Sequence, residues 1–196
     1  MASAVSSRLV GDVAGDLPRR DPIDDQLERV YRAEFRRLSA LGRLLTGDPA
    51  AGEDLAHEVF LDALKRIRRD PGYLRDPAWP WLRTALVHLA SKRRRQAVRE
   101  LLRLARVYER PRHEEWTPDA LDFMNALGTL PTRMRACVVL FYCEDLPTAH
   151  VAEILSCSPR TVENQLRAAR QRLAGSLGIE PPSANVDGAV PTEVPR

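Results

Sequence analysis

The sequence predicts an all-α protein of two small helical domains joined by a flexible linker, the C-terminal one a helix-turn-helix. Three observations carry that expectation. Apolar residues recur at three- and four-residue spacing over most of the chain, which gathers them on one face of a helix. Alternating β-branched runs are absent, and Leu, Ala, Arg and Glu, all good helix formers, dominate. Between two such periodic regions lies "YERPRHEEWTPD" (108–119), proline-bearing, charged and without period, which reads as a tether. The expected division is a disordered segment at 1–22, a first domain at 23–106, a linker at 107–118, a second domain at 119–177 and a disordered tail at 178–196.

The first helix is expected over about 24–46, with Leu27, Tyr31, Leu38, Leu41 and Leu45 on one face and Gly47 as its stop. Asp48-Pro49 restarts the chain as a cap followed by a proline at the first helical position. The second helix, about 50–69, buries Leu55, Val59, Phe60, Ala63, Leu64 and Ile67. The prolines and glycine of "DPGYLRDPAWP" (70–80) make a loop. A third helix runs from Trp79 to about Arg106, and four more are expected at about 119–129, 132–143, 148–155 and 159–175. Each domain is small enough that its core is marginal and gains from a partner.

Composition narrows the function. The chain of 196 residues is 44% hydrophobic and 29% charged, with a formal net charge of only +3, so where the charge sits matters more than its sum. Cys137, Cys143 and Cys157 form neither a CxxC pair nor a zinc spacing and read as reduced thiols. No apolar run approaches the roughly 18–20 residues of a membrane span, and the N-terminus lacks a basic-then-apolar signal pattern, so a soluble cytoplasmic protein with no membrane partner is expected. Phosphate-binding loops and nucleophile elbows are missing. "HEVFL" (57–61) begins like a zinc-binding HExxH, but Leu61 stands at the second histidine. The expectation is a non-enzyme with no cofactor and no metal.

Three charged features remain. In "LPTAHVAEIL" (146–155), Val151, Ala152 and Leu155 point inward. "SCS" is a tight turn, with Ser158 as N-cap and Pro159 at the first position of the next helix. There Val162, Leu166, Ala169 and Leu173 form the core stripe, while Arg160, Asn164, Arg167 and Gln171 lie opposite. That is helix-turn-helix grammar, with side chains suited to base edges and phosphates. An αα-hairpin with a solvated charged face is the alternative. Glu163 precedes Arg167 by four residues, the favourable order for a helical ion pair, and could also accept from a cytosine amine. Second, "SKRRRQAVRELLRLARVYER" (91–110) carries eight Lys or Arg against two Glu, downstream of Trp79 and Trp81. Cations beside rings suit a nucleic-acid strand, unless the tryptophans belong to the core. Third, Asp54, Glu58 and Asp62 recur every four residues as an acidic stripe flanked by Glu53 and His57, either a solvated face or a dock for a basic protein surface.

The order of these pieces, "EDLAHEVF", "WLRT" with "KRRR", then "LPTRMRACVVLFYCEDL" and "CSPRTVENQLRAARQRL", resembles the bacterial extracytoplasmic-function (ECF) sigma factors, the smallest initiation factors of the sigma-70 type, over roughly residues 24–177. The resemblance implies an alternative sigma factor that binds core RNA polymerase and directs promoter-specific initiation. It puts Asp54, His57, Glu58, Phe60, Leu61 and Asp62 on the basic coiled coil of the polymerase's largest subunit. It puts Arg83, Thr84, His88, Lys92, Arg93 and Arg94, within a Trp79–Arg95 stretch that includes Trp81, at the minus-ten element. Ser158, Arg160, Thr161, Glu163, Asn164, Gln165, Arg167 and Arg170 fall at the minus-thirty-five element, with the second domain near the polymerase flap. Anti-sigma factors commonly hold family members, and nothing in these residues identifies one.

The chain departs from the family pattern at several sites. His57 stands for a usual Gln, His88 for Asn-like chemistry, Lys92 for Asp, and Ser156 for a common glycine. Arg160, Glu163 and Asn164 stand for a typical Gly, Lys and Ser, so promoter preference does not carry over. Two other readings stay open: a stand-alone dimeric helix-turn-helix regulator binding a palindrome, and a sigma-like polymerase-binding module that no longer reads promoters.

Overall fold

The computed structural model describes residues 22–73, 77–104 and 118–178. Apart from Pro22, Pro118 and Gly178, the expected disordered segments and the linker lie outside these residues. Among the described residues every regular element is helical. The elements are α1 (Pro22–Thr46), α2 (Pro49–Ile67), α3 (Trp79–Leu104), α4 (Pro118–Thr129), α5 (Thr132–Val138) continuing into a π-helical turn (Val139–Cys143), α6 (Thr148–Ile154) and α7 (Pro159–Leu177).

The α1–α2 hairpin forms as its local chemistry dictates. Gly47 takes φ +80°, a left-handed conformation that a glycine adopts without a Cβ clash, and its N–H donates to the Arg43 carbonyl at 2.8 Å. Asp48 then caps α2, its Oδ1 accepting from the Ala51 N–H at 3.0 Å, with Pro49 at the first helical position. Beyond the turn the two backbones nearly touch. A Cβ on Gly42 would lie 2.5 Å from the Gly52 carbonyl oxygen. Helix α3 closes a three-helix unit whose core holds Leu38, Leu41, Leu55, Val59, Ile67, Leu82 and Leu86. Leu64, expected inside, is half-buried.

In the second unit α4, α5, α6 and α7 enclose Leu127, Leu130, Met134, Val138, Val151, Val162, Leu166 and Ala169. The single helix expected at 132–143 is α-helical only to Val138. From there the chain widens, with the Glu144 N–H donating to the Val139 carbonyl and the Leu146 N–H to the Leu140 carbonyl. Leu155 and Leu173, expected in the core, are half-buried, and Ile154 and Ala174 are buried instead.

The two units pack on each other. Their buried residues form one continuous apolar cluster, and α1 and α3 pack on α4, α5 and the π-turn. Each small core has found its partner in the other half of the chain, which relieves the poor surface-to-volume ratio of a domain this size. Arg135, only 1% exposed, pins the junction. Its Nη1 donates to the Leu45 carbonyl at the end of α1 (3.2 Å), and its Nη2 donates to the Gly128 carbonyl at the end of α4 (2.8 Å). Helix C-termini offer unpaired carbonyls and partial negative charge, which a guanidinium satisfies.

Candidate nucleic-acid interface

The helix-turn-helix is α6 and α7 joined by Leu155–Ser158. Ser156 has φ +50°, the left-handed geometry that favours glycine, so the serine there is strained. Ser158 caps α7: its Oγ accepts from the Thr161 N–H at 3.1 Å and lies 2.8 Å from Thr161 Oγ1. Both residues are thus committed to the helix start. Val162, Leu166 and Ala169 anchor the inner face, leaving Arg160, Glu163, Asn164 and Arg167 exposed on the outer one and Gln165 half-exposed. Arg170 is held from below, its Nε donating to the Tyr142 hydroxyl at 2.8 Å. Among the described residues no ion pair joins Glu163 to Arg167. The two side chains of this exposed pair stay in water because ordering them gains little there.

Helix α3 divides into two halves of opposite character. At its start Trp79 is 7% exposed, and its indole N–H donates to Glu144 at 2.8 Å; Arg83 is equally enclosed, 3.6 Å from the same carboxylate. Trp81 is half-buried, edge-on to Tyr73, and donates to that hydroxyl at 3.0 Å. Thr84 turns back to the Pro80 carbonyl at 2.8 Å. Of the two readings open for Trp79, this conformation takes the core one: its ring is buried, with no face left for a base. His88 Nε2 lies 2.7 Å from the Ile154 carbonyl of α6, which requires the proton on that nitrogen.

Further along, Lys92, Arg93, Arg94 and Arg95 are exposed. Arg94, Arg95 and Arg99 join Arg133 of α5 around an open cleft of about 930 Å³ between α3 and the helix-turn-helix. Among the described residues its walls, with His88, Ser91 and Ser156, carry cations and hydroxyls and no carboxylate. Such a surface attracts polyanions.

On α2, Asp54 and His57 are exposed and Leu61 is 57% exposed, an apolar side chain set among acids. His57 packs on Phe35 with ring centroids 4.6 Å apart and lies 3.2 Å from the Tyr31 hydroxyl. Asp62 accepts from Arg66 Nε at 2.8 Å, and this contact raises the Arg66 pKa. Glu58 pairs with Arg93 of α3. Phe60, placed at the dock by the resemblance, lies beneath this surface. It is 4% exposed, its ring centroid 4.9 Å from that of Tyr31, so it supports the surface from beneath.

Three residues absent from the sequence reading shape these surfaces: Glu144, Arg37 and Tyr142. Arg37 lies over the Trp79 ring, 3.8 Å from its centroid, and reaches Glu144 at 3.3 Å. No local pattern marks them, because their partners lie 28 to 107 residues away. Among the described residues no group of His, Cys, Asp or Glu could hold a metal ion, and no helix is long and apolar enough to cross a membrane.

Residues 120–173 match the family described as sigma-70, region 4. The chain is 29% identical over 181 residues to the ECF RNA polymerase sigma factor SigE of Mycolicibacterium smegmatis, covering 86% of this chain and 66% of that protein. It is 31% identical over 165 residues to the "Probable RNA polymerase sigma factor RfaY" of Xanthomonas campestris, covering 76% of this chain and 40% of that protein. The chain thus spans a little under two thirds and two fifths of the lengths of these relatives. The sigma factor RpoE of Bartonella quintana, solved in complex with the anti-sigma factor NepR, shares the fold with a TM-score of 0.64 at 20% identity, over 80% of this chain and 99% of that one. The matched segment takes in most of α4, then α5, α6 and most of α7, so the helix-turn-helix is the part of the chain that resembles sigma-70 region 4.

Proposed function

We propose that the protein is an alternative sigma factor that binds core RNA polymerase and directs promoter-specific transcription initiation. It is an adaptor without catalytic chemistry of its own, and it works in the cytoplasm with polymerase and promoter DNA as its partners. The observation that carries this is the separation of two oppositely charged surfaces on one small chain. The exposed α2 face, with Asp54, Glu58 and the bare Leu61, suits a basic protein surface with an apolar contact at its centre. The exposed Arg160, Asn164 and Arg167 of α7 suit a major groove. The basic run Lys92–Arg95 supplies phosphate contacts beside the strand to be opened. In this reading the factor offsets an unpairing cost of roughly a few kcal/mol per extruded base with pocket and stacking contacts.

Run-off transcription with sigma-free core polymerase on a promoter library tests the proposal. Specific start sites are the expected result. Core binding without transcripts would replace it with a polymerase-binding module. Tight binding of a palindrome without core binding would replace it with a free-standing regulator. The docking face is tested by Asp54→Arg combined with Glu58→Arg, which should abolish core binding with helix content unchanged. Core binding that survives this reversal places the dock elsewhere.

A further inference from the structure

We propose that Glu144 is an intramolecular latch that holds the C-terminal unit over the start of α3, so that this contact must open before the face carrying Trp79, Arg83 and His88 can take single-stranded DNA. What the latch controls rests on the sigma-factor reading; the latch itself does not.

Glu144 follows the π-turn, and its side chain is 7% exposed. A carboxylate buried that deeply is tolerated only when charges and donors surround it. All three of the groups that reach it come from the other half of the chain: Trp79 Nε1 at 2.8 Å, Arg37 Nη2 at 3.3 Å and Arg83 Nη1 at 3.6 Å. Arg37 also lies over the Trp79 ring, so the donors brace one another into a cage. Two further contacts cross the same junction, His88 to the Ile154 carbonyl and Arg135 to the Leu45 carbonyl.

The closed arrangement is selective in what it covers. Trp79 and Arg83 are turned in, and His88 is tied to α6, while Arg160, Asn164 and Arg167 stay exposed. A chain in this state can offer its recognition helix to duplex DNA and cannot offer the start of α3 to an opened strand. Glu144 also occupies the two guanidiniums that a phosphate would seek. An incoming strand therefore competes directly for Arg37 and Arg83, and its binding favours the open state.

The test uses the full chain and the variants Glu144→Gln and Glu144→Arg, followed by small-angle X-ray scattering and circular dichroism. The wild type should scatter as a compact particle. Glu144→Arg, which puts a third cation into the cage, should enlarge the radius of gyration and maximum dimension at unchanged helix content. Adding Arg83→Glu should return the curve toward the compact one. Glu144→Gln, which keeps the shape and an acceptor for Trp79, should fall between and decides the matter if the arginine variant does not fold. Superimposable curves for the wild type and Glu144→Gln, in that case, or for the wild type and Glu144→Arg otherwise, would overturn the latch.

With core polymerase at sub-saturating factor, Glu144→Gln should raise the yield of open promoter complex on the order of five-fold or more. An expanded variant with no such gain, on a promoter the wild type does transcribe, would overturn the gating role. Expansion in a chain that never binds core supports the latch and counts against the sigma-factor reading instead.

Discussion

Arg93 of α3 donates to the Glu58 carboxylate of α2, joining the helix assigned to DNA to the helix assigned to polymerase. Both side chains are nearly half exposed, so the pair adds less than about 1 kcal/mol to stability. Its interest lies in binding. Arg93→Ala should strip a phosphate contact and at the same time unmask a carboxylate on the acidic stripe. Core polymerase should then associate faster at low salt, promoter affinity should fall, and the log–log salt slope of DNA binding should shrink by about 1. Stopped-flow association and a salt titration read the two effects separately. A change of the same sign in both would mean that the pair serves neither surface.

Ser156 turns the helix-turn-helix at φ +50°. A non-glycine residue in that region costs roughly 1–2 kcal/mol, part of which glycine returns as greater freedom in the unfolded chain. Ser156→Gly should therefore stabilise the protein by about 0.5–1 kcal/mol in denaturant unfolding. An alanine at the same site should not stabilise it at all.

Gly42 and Gly52 let α1 and α2 approach at their backbones. A Cβ on Gly42 would sit 2.5 Å from a carbonyl oxygen that has no freedom to retreat. Gly42→Ala should destabilise the first unit by about 1–3 kcal/mol or more, the usual range for overpacking, despite alanine's better helix propensity. A lowered thermal midpoint without loss of helix in the native state is the expected signature.

Glu163 is exposed and no ion pair ties it to Arg167 among the described residues, so its carboxylate is available to whatever α7 meets. Glu163→Lys should change which minus-thirty-five sequence is preferred in a binding selection, because a carboxylate can accept from a cytosine amine and an ammonium cannot. If affinity instead rises alike for every sequence, and the salt slope steepens by about 1, the residue faces phosphate.

The elements were legible wherever the determinants are local. Gly47 and Asp48-Pro49 mark the first hairpin, and Ser158-Pro159 marks the recognition helix, because a cap is a contact between residues three apart. Helical period located α1, α2 and α7 to within two residues of their observed ends. It did not reveal which surface an apolar stripe would meet. The stripe of a marginal domain looks the same whether it closes on itself or on a neighbour, so the packing of the two helical domains on each other was not legible in it. Trp79 and Arg83 are ambiguous in sequence for a related reason. An aromatic beside a cation suits a nucleic acid and equally suits a buried carboxylate, and Glu144 lies 65 residues beyond Trp79 in sequence. Phe60 sits at the seam between the acidic stripe and the core stripe of α2, and only the packing of Tyr31 decides its side.

The widened turn Val139–Cys143 amounts to one residue inserted into an α-helix. Each residue advances an α-helix by about 100°, so losing one here would rotate everything beyond it relative to α5 by about that angle. The Glu144 carboxylate would swing out of its cage, yet every side chain from α6 through α7 would keep its neighbours within the helix-turn-helix. A single codon gained or lost at this turn would thus reset how the two halves rest on each other while the side chains that α7 presents stayed the same, giving evolution separate handles on the closure of the chain and on the chemistry of its exposed helix.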